Sequence, residues 1–580
     1  MANKKLFFTA ILIFAFSLTT RFLPIDFNHF YFQTDSTFYL RTLQNLKKNG
    51  SISFKDNLFV KKEKRDSAKI APPLLIYSAY LFEKLLPLNN IEEKKKIAIL
   101  NILWGALLTT IFFLLLFFLN GNFLYSVLFT LFFSLFPPFF IRSSHLFFRG
   151  EIPSVVFLLA ILFLLKKIQV SEKIATRDKI FFLISFVVGM GFWRLFPLLT
   201  FPLLLGITIE STYFKTISHK KVHTLFLLIF VGINVSLFFK YYKLNFFHIL
   251  FLNLLLISIF FHYTISEKIK NKSLLKFILY IPAISLLFLI AIRFYRYFFT
   301  GGINNFLEIY ERGVKELLPL KGFYLLISIF IFILIFLHAF MEKNLREEIK
   351  KLQIHTYLVP TFFFFFSGVA FKRTIPYFIL FASIVASILL PKLKHKKMKI
   401  FMTSLYLTFT VLFFLQSIST INRKMDLNRI LAYEYIKKNI PPKTPIIAMW
   451  GLGYELEYYT NHPVIADGFL EDKTTQRRIL NYYTILNSKK ELELVALLKK
   501  YKTKYIFVNK EDIVHILSTK YKIRELISTE KLKNKRRIII KKKGRKINVI
   551  KLYFLNRELK YFRPLFSIGN YGIFILKRNF

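Results

Sequence analysis

The chain has 580 residues, 54% of them hydrophobic and 73 of them Phe, with 84 basic against 33 acidic residues and a formal charge of +51. That apolar content exceeds what a soluble core of this length needs and points to a protein that uses lipid as part of its solvent. The absence of cysteine excludes disulfides, thiolate metal sites and Cys nucleophiles. The positive excess admits nucleic acid, anionic lipid or an anionic substrate as a partner. A chain rich in Lys, Ile, Phe and Asn and poor in Gly nonetheless carries roughly half of that excess as compositional background. Basic runs such as Lys541-Lys542-Lys543 read as solvated faces.

Lys4 and Lys5 precede an apolar run that is too long for a signal-peptide core and lacks a small-residue cleavage site, so it is expected to stay as a first helix. Stretches long enough to span follow near 97–119, 123–141, 153–168, 180–193, 195–209, 222–239, 246–265, 274–292, 322–340, 355–371, 374–391 and 399–418. With the first run at 6–23, that makes about thirteen spans. With the N-terminus inside, loops 166–179, 210–221, 266–276, 341–354 and 392–399 are cytoplasmic, and each carries several Lys or Arg. Segments 24–96, 142–152 and 293–321 then lie outside, together with everything beyond the last span. Segment 24–96 is too long for a connector, with helical stretches expected at 36–49 and 72–88. Segment 293–321 opens on Thr300-Gly301-Gly302, either a hinge or a plain turn.

Beyond residue 420 the pattern changes to that of a soluble domain over 421–580. A helix is expected at 427–438, a break at Pro441-Pro442, strands near 445–449 and 504–508, a helix at 490–500, and basic strands near 536–553 and 572–577. The fold class expected is a polytopic α-helical membrane protein over 1–420 with an extracytoplasmic α/β or α+β domain. No P-loop, Rossmann fingerprint, zinc spacing or solenoid repeat is present.

Ionisable groups at the outer mouths of spans are informative, because a lipid-facing charge is costly and those that persist line a cavity or pair with one another. Asp35, in Gln33-Thr34-Asp35-Ser36, suits a helix N-cap as well as an active-site carboxylate. Glu151, after Arg149-Gly150, suits a cap or helix-dipole partner, and Glu316 a solvated loop charge. Lys372 and Arg373 lie between two apolar spans, where snorkelling and phosphate binding are both open readings.

In architecture and motif order the chain resembles the catalytic subunit of oligosaccharyltransferase, a GT-C membrane glycosyltransferase with a catalytic Asp in a large first outer loop, a mobile later outer loop and a soluble C-terminal domain. Thr34-Asp35-Ser36-Thr37-Phe38-Tyr39-Leu40-Arg41, Asn49-Gly50 and Pro72-Pro73-Leu74 look like that first loop. Arg142-Ser143 followed by Arg149-Gly150-Glu151 is similar to the family's Asp-x-Asp/Glu/His motif, and Gly313-Val314-Lys315-Glu316 with Pro319 to its Ser-Val-Ser-Glu motif. Arg373 matches a family arginine that contacts the donor diphosphate. Met449-Trp450-Gly451-Leu452-Gly453-Tyr454 looks like the Trp-Trp-Asp-Tyr-Gly block. The resemblance implies transfer of a glycan from a polyprenyl (dolichyl-type) diphosphate to a protein asparagine at the outer face of the membrane. It makes Asp35 and Glu316 catalytic partners of the amide, Asp35 and Glu151 ligands of Mg2+ or Mn2+, Arg373 and Lys372 holders of the diphosphate, and Trp450 and Glu316 contacts of the acceptor. Partners would be a lipid-linked oligosaccharide, an acceptor polypeptide and membrane lipid, with no nucleic acid.

Two departures stand out. Arg149 occupies the place of the motif's first Asp, and a guanidinium a few ångströms from a cation repels it by roughly 4 kcal/mol per unit charge at an effective dielectric near 20. Gly451 stands where the family has the Asp that accepts from the acceptor's Ser or Thr hydroxyl; losing such a contact costs about 1–3 kcal/mol. Tyr454 follows in the same block. A GT-C transferase with a lipid or glycan acceptor, and a silent relative that only binds the lipid-linked glycan, are the alternatives. A transporter fits least, because the charges gather at the outer mouth.

Overall fold

The computed structural model describes residues 2–24, 32, 35–52, 67, 71–86, 91–239, 241–242, 246–268, 330, 354–370, 372–394, 396–424, 426–468, 473–518, 520–521, 523–532, 535–555 and 558–577. The chain divides into two compact units. The expected spans at 274–292 and 322–340, the segment 293–321 and Glu316 lie outside the described residues.

The first unit is a helical bundle. Its long helices run Ala2–Phe22, Glu93–Asn120, Glu151–Val170, Thr176–Phe192, Phe196–Ile209, His219–Val235, Phe246–Lys268, His355–Ala370, Ile375–Leu389 and Lys396–Lys424. Among the described residues, five helices are long and apolar enough to cross a membrane. Their outer faces are apolar as well: Phe7, Phe8, Ile11 and Leu12 on the first, and Leu407, Val411 and Leu415 on the last, are exposed. Apolar surface on that scale is stable only against lipid, which makes this an integral membrane protein. The Ile375–Leu389 helix is buried at every residue. It packs on His355–Ala370, Phe123–Ser134 and Glu93–Asn120 and so forms the centre of the bundle.

Local chemistry sets the breaks. Gly121 takes the left-handed conformation at φ 65° to end Glu93–Asn120, and the Asn122 side chain accepts from the Tyr125 backbone N–H at 3.2 Å to start the next helix. The single span expected at 123–141 is instead two helices, Phe123–Ser134 and Pro137–Arg142. Pro137 and Pro138 have no N–H to donate, so the chain restarts with proline in the first turn. Pro197 does the same for Phe196–Ile209. That helix runs into a π-turn at Glu210–Phe214. Glu210 is fully buried there and accepts from the backbone N–H groups of His355 at 2.8 Å and Thr356 at 3.4 Å, satisfying donors at the start of His355–Ala370.

The second unit comprises residues 31–67 and the chain from 425 onward, with some residues from outside the described set. Six strands, β1 (Ile446–Ile447), β2 (Tyr505–Asn509), β3 (Ile527–Leu532), β4 (Lys535–Ile540), β5 (Phe562–Ile568) and β6 (Tyr571–Leu576), form a four-stranded sheet ordered β1-β2-β6-β5 and a β3-β4 hairpin. β1 and β2 are parallel, whereas β2-β6 and β5-β6 are antiparallel. The basic strand expected at 536–553 stops at Ile540, and short helices Lys542–Arg545 and Asn548–Phe554 follow. The cause is the fully buried Asn548, whose amide donates to the carbonyls of Ile485 and Lys490, both at 3.0 Å, and so takes the chain off the sheet. A buried network anchors Leu427–Asn439 to the sheet. Arg429 donates to the Tyr571 hydroxyl at 2.9 Å and to Glu455 at 3.2 Å, and the Tyr433 hydroxyl donates to Glu455 at 2.8 Å. Burial, reinforced by Glu455, pushes the Tyr433 phenol well above its ordinary pKa and keeps it a donor.

Candidate functional site

In the first unit the segment between Arg142 and Glu151 is pinned from several sides. Arg21, buried at the end of the first helix, donates through Nε to Ser143 Oγ at 2.7 Å and through Nη2 to the Ser134 carbonyl at 3.2 Å. Its Nη1 also reaches the Ser17 hydroxyl. Asn101 donates to the carbonyls of Arg142 at 3.0 Å and Ser144 at 2.7 Å. Gly105 allows this approach, because a Cβ there would lie 2.7 Å from both Arg21 Nε and Ser143 Cβ. Gly150 precedes Glu151 for the same kind of reason: any Cβ would land on the backbone carbonyl of Phe192. His145, fully buried in this segment, has its imidazole pKa pushed down to about 4 by desolvation and is neutral at pH 7.

Glu151 opens the Glu151–Val170 helix and is 3% exposed. Its Oε1 accepts from Arg373 Nη2 at 2.6 Å, and its Oε2 is ion-paired with Arg142 Nη1 at 3.0 Å. Arg373 stands in the tight turn Lys372–Thr374 between two central helices. Its guanidinium lies over the Trp193 ring, 5.9 Å from the centroid, and Trp193 stacks on Tyr377 at 5.9 Å. The Arg373 side chain remains 28% exposed, against 10% for Arg142. Arg149 lies over the Phe147 ring at 5.0 Å.

In the second unit the helix that carries Asp35 packs on the helix that carries Trp450. Asp35 is half-buried in the first turn of Asp35–Asn49. Arg41 on that helix is paired with the fully buried carboxylate of Glu457. The Phe38 and Tyr454 rings meet at 5.0 Å. The Tyr459 hydroxyl accepts from the Phe32 N–H at 2.8 Å and donates to the Phe32 carbonyl at 3.1 Å. Trp450–Thr460 is a helix despite Gly451 and Gly453, and each glycine has a separate meaning. A Cβ at Gly453 would lie 2.5 Å from the Ala466 carbonyl and 2.6 Å from Asp467 Cα, so only glycine lets 464–467 pass this closely. A Cβ at Gly451 would meet nothing within 4 Å, so there is open space at the position where the resemblance implies an Asp.

Of the residues expected to act, Glu151 and Arg373 are thus brought together in the first unit, and the helices of Asp35, Trp450, Gly451 and Tyr454 in the second. Arg21, Asn101 and the pairing of Arg142 went unassigned in the sequence. A signal existed for the first, since an arginine at the end of an apolar span has to find partners. Among the described residues no three His, Asp or Glu side chains gather to hold a metal ion. Glu151 does not fit the metal-ligand role that the resemblance implies: both its oxygens are taken by guanidinium groups, and a dication there would face two neighbouring positive charges.

The architecture defines a class: a helical membrane bundle joined to a mixed α+β domain. Solved oligosaccharyltransferase structures share this fold at low sequence identity. The chain is similar to the crystal structure of the Archaeoglobus fulgidus oligosaccharyltransferase in the apo form, with a TM-score of 0.71 at 11% identity over 97% of this chain and 80% of that one. It is also similar to that organism's oligosaccharyltransferase AglB in complex with an inhibitory peptide and a dolichol-phosphate, with a TM-score of 0.66 at 11% identity over 96% and 79% of the two chains. The same organism's enzyme tethered to an acceptor peptide containing an Asn-Val-Thr sequon matches with a TM-score of 0.65 at 11% identity over 97% and 79%. No protein-family profile and no curated protein sequence matches.

Proposed function

We propose that this protein is a membrane glycosyltransferase that moves a glycan from a polyprenyl-linked phosphate or diphosphate to an acceptor at the outer face of the membrane, the acceptor being a protein asparagine. The observation that carries the reading is the whole-length likeness to the Archaeoglobus fulgidus enzyme, whose structures hold a dolichol-phosphate and peptides. The docking of the Asp35 helix on the Trp450 helix supports it, because it places a carboxylate-bearing element beside the block that resembles the acceptor-recognition motif.

In this reading Asp35 and Glu316 hold and polarise the acceptor amide, an otherwise poor nucleophile, and Trp450 contacts the acceptor backbone. Arg373, with Lys372, binds the phosphate of the donor and stabilises the negative charge that develops as the glycosidic bond to the lipid breaks. The basic loops at 166–179 and 392–399 support an orientation with the active site and the C-terminal domain outside. The open space at Gly451 favours a second reading, in which the acceptor is a lipid or another glycan and needs no hydroxyl-reading Asp. Mass spectrometry of surface glycopeptides and glycolipids from cells with and without the protein separates the two. Loss of glycopeptides supports the first, loss of a glycolipid the second, and an unchanged profile of both sinks transfer altogether.

A further inference from the structure

We infer that the β3-β4 hairpin and the Lys542–Arg545 helix after it form a docking surface for an anionic lipid bilayer, with Ile538 and Ile539 as its apolar contacts and the basic residues around them as its ionic ones. The inference does not rest on the transfer reaction. Eight of the twelve residues 535–546 are Lys or Arg and none is acidic, against 84 basic residues in the 580 of the whole chain. A density several times the chain's average exceeds its compositional background. Lys541, Lys542, Lys543, Arg545 and Lys546 are all exposed, and Lys543 donates to Glu525 at 2.7 Å across the surface. Lys535, Arg536 and Arg537 continue the run along β4, where Glu530 of β3 stands at the register position opposite Arg537.

The hairpin is anchored only at its root. There Ile527 pairs with Ile540 and both pack on the core of the second unit. The next two pairs are Ser528 with Ile539 and Thr529 with Ile538, and these isoleucines are 41% and 48% exposed. Neighbouring residues of a strand point to opposite faces, so both faces of the hairpin are open at this level. A two-stranded ladder is marginal in water without a cover. Cations along a free edge guard it against pairing with another chain, which accounts for the lysines but not for the isoleucines between them. Exposed apolar side chains set among Lys and Arg are what a segment at a bilayer surface carries, where each cation near anionic headgroups adds to the binding. A soluble polyanion would use the cations and leave the isoleucines in water. The membrane helices hold this chain at a bilayer, so the hairpin meets lipid at a high effective concentration.

The chain has no cysteine, so a single introduced one takes a unique label. The full-length protein with Ile538→Cys or Ile539→Cys, each carrying an environment-sensitive dye, is placed in nanodiscs of phosphatidylcholine alone or of equal parts phosphatidylcholine and phosphatidylglycerol. Both leaflets of a nanodisc carry the same lipid, so the result does not depend on which way the chain is inserted. A blue shift at one or both positions is expected with phosphatidylglycerol, quenched by spin-labelled lipid and weakened by high salt. Lys542→Gln, Lys543→Gln, Arg545→Gln and Lys546→Gln together change only exposed side chains, and are expected to remove most of that shift while size exclusion shows the fold intact. No shift at either isoleucine, a shift that survives the four substitutions, or an equal shift for a dye on the exposed position of Lys489→Cys overturns the inference. So does binding of labelled polyphosphate by a protein whose dyes stay in water with phosphatidylglycerol, which names a soluble polyanion as the occupant. Failure of glycan transfer with the shift intact sinks the proposed function and leaves this surface standing.

Discussion

Asp35 is the residue on which the catalytic reading turns. Asn keeps the size and the ability to sit in a helix's first turn but brings no charge to an amide. Asp35→Asn is expected to leave the protein folded and to lower transfer by about 100-fold or more, the scale of losing one electrostatic contact in a transition state. A variant that transfers normally would make Asp35 structural. At Gly451 the open space predicts that Gly451→Asp folds with a stability change within about 1 kcal/mol, helped by an acidic side chain in a first turn. If the acceptor is a peptide, that variant should favour Ser- or Thr-containing sequons over others, read by competition between labelled peptides; an unchanged preference would detach Gly451 from acceptor choice. His145 gives a pH test. Its folded pKa, about 4, lies below the ordinary 6.5, so between those values the unfolded chain binds the proton and the folded one does not. Stability from this group is complete above pH 6.5 and falls as pH drops toward 4, by about 3 kcal/mol in all. His145→Gln should flatten the decline of the thermal midpoint between pH 6.5 and 4.5. The burial of His145 was not legible in the sequence, since a lone histidine in a short outer loop has the same appearance whether solvated or enclosed.

Helix positions and lengths follow from apolar runs and from Pro, Gly and Asn at their ends, and these were readable. The expected stretches 36–49 and 72–88 correspond to Asp35–Asn49 and Pro73–Leu85, and 355–371 and 374–391 to His355–Ala370 and Ile375–Leu389. Trp450–Thr460 was not readable as a helix, because two glycines early in the run argue against one until the neighbour that forbids a side chain at Gly453 is known. The pairing of the Asp35 helix with this one was equally hidden, since Arg41 and Glu457 stand far apart in sequence. Removing one partner breaks a buried ion pair, so Arg41→Gln or Glu457→Gln is expected to destabilise by about 3 kcal/mol and the double variant by less than the sum. A double-variant cycle on thermal stability measures the coupling, and strict additivity would show that the pair does not join these helices in solution.

At the scale of the whole molecule, the basic loops predict that reporter fusions at Lys396 and at Phe580 fall on opposite sides of the membrane. Finding both on one side would remove the outer face that the proposed residues are meant to share. The amino-acid sequence by itself determined that the chain lives in a bilayer, where most of its long apolar helices lie, and that a mixed domain follows them. Those properties depend on hydropathy, helix period and backbone chemistry within a window of some twenty residues, which a linear reading contains. Only the tertiary structure decided which charges surround Glu151. From its motif it reads as a metal ligand, but it is ion-paired with Arg142 and with Arg373, which arrives from a turn 222 residues away. Likewise the open space at Gly451 and the closed space at Gly453 are differences between two identical letters in one helix. Close approach by distant chain decides them, and no local pattern records it.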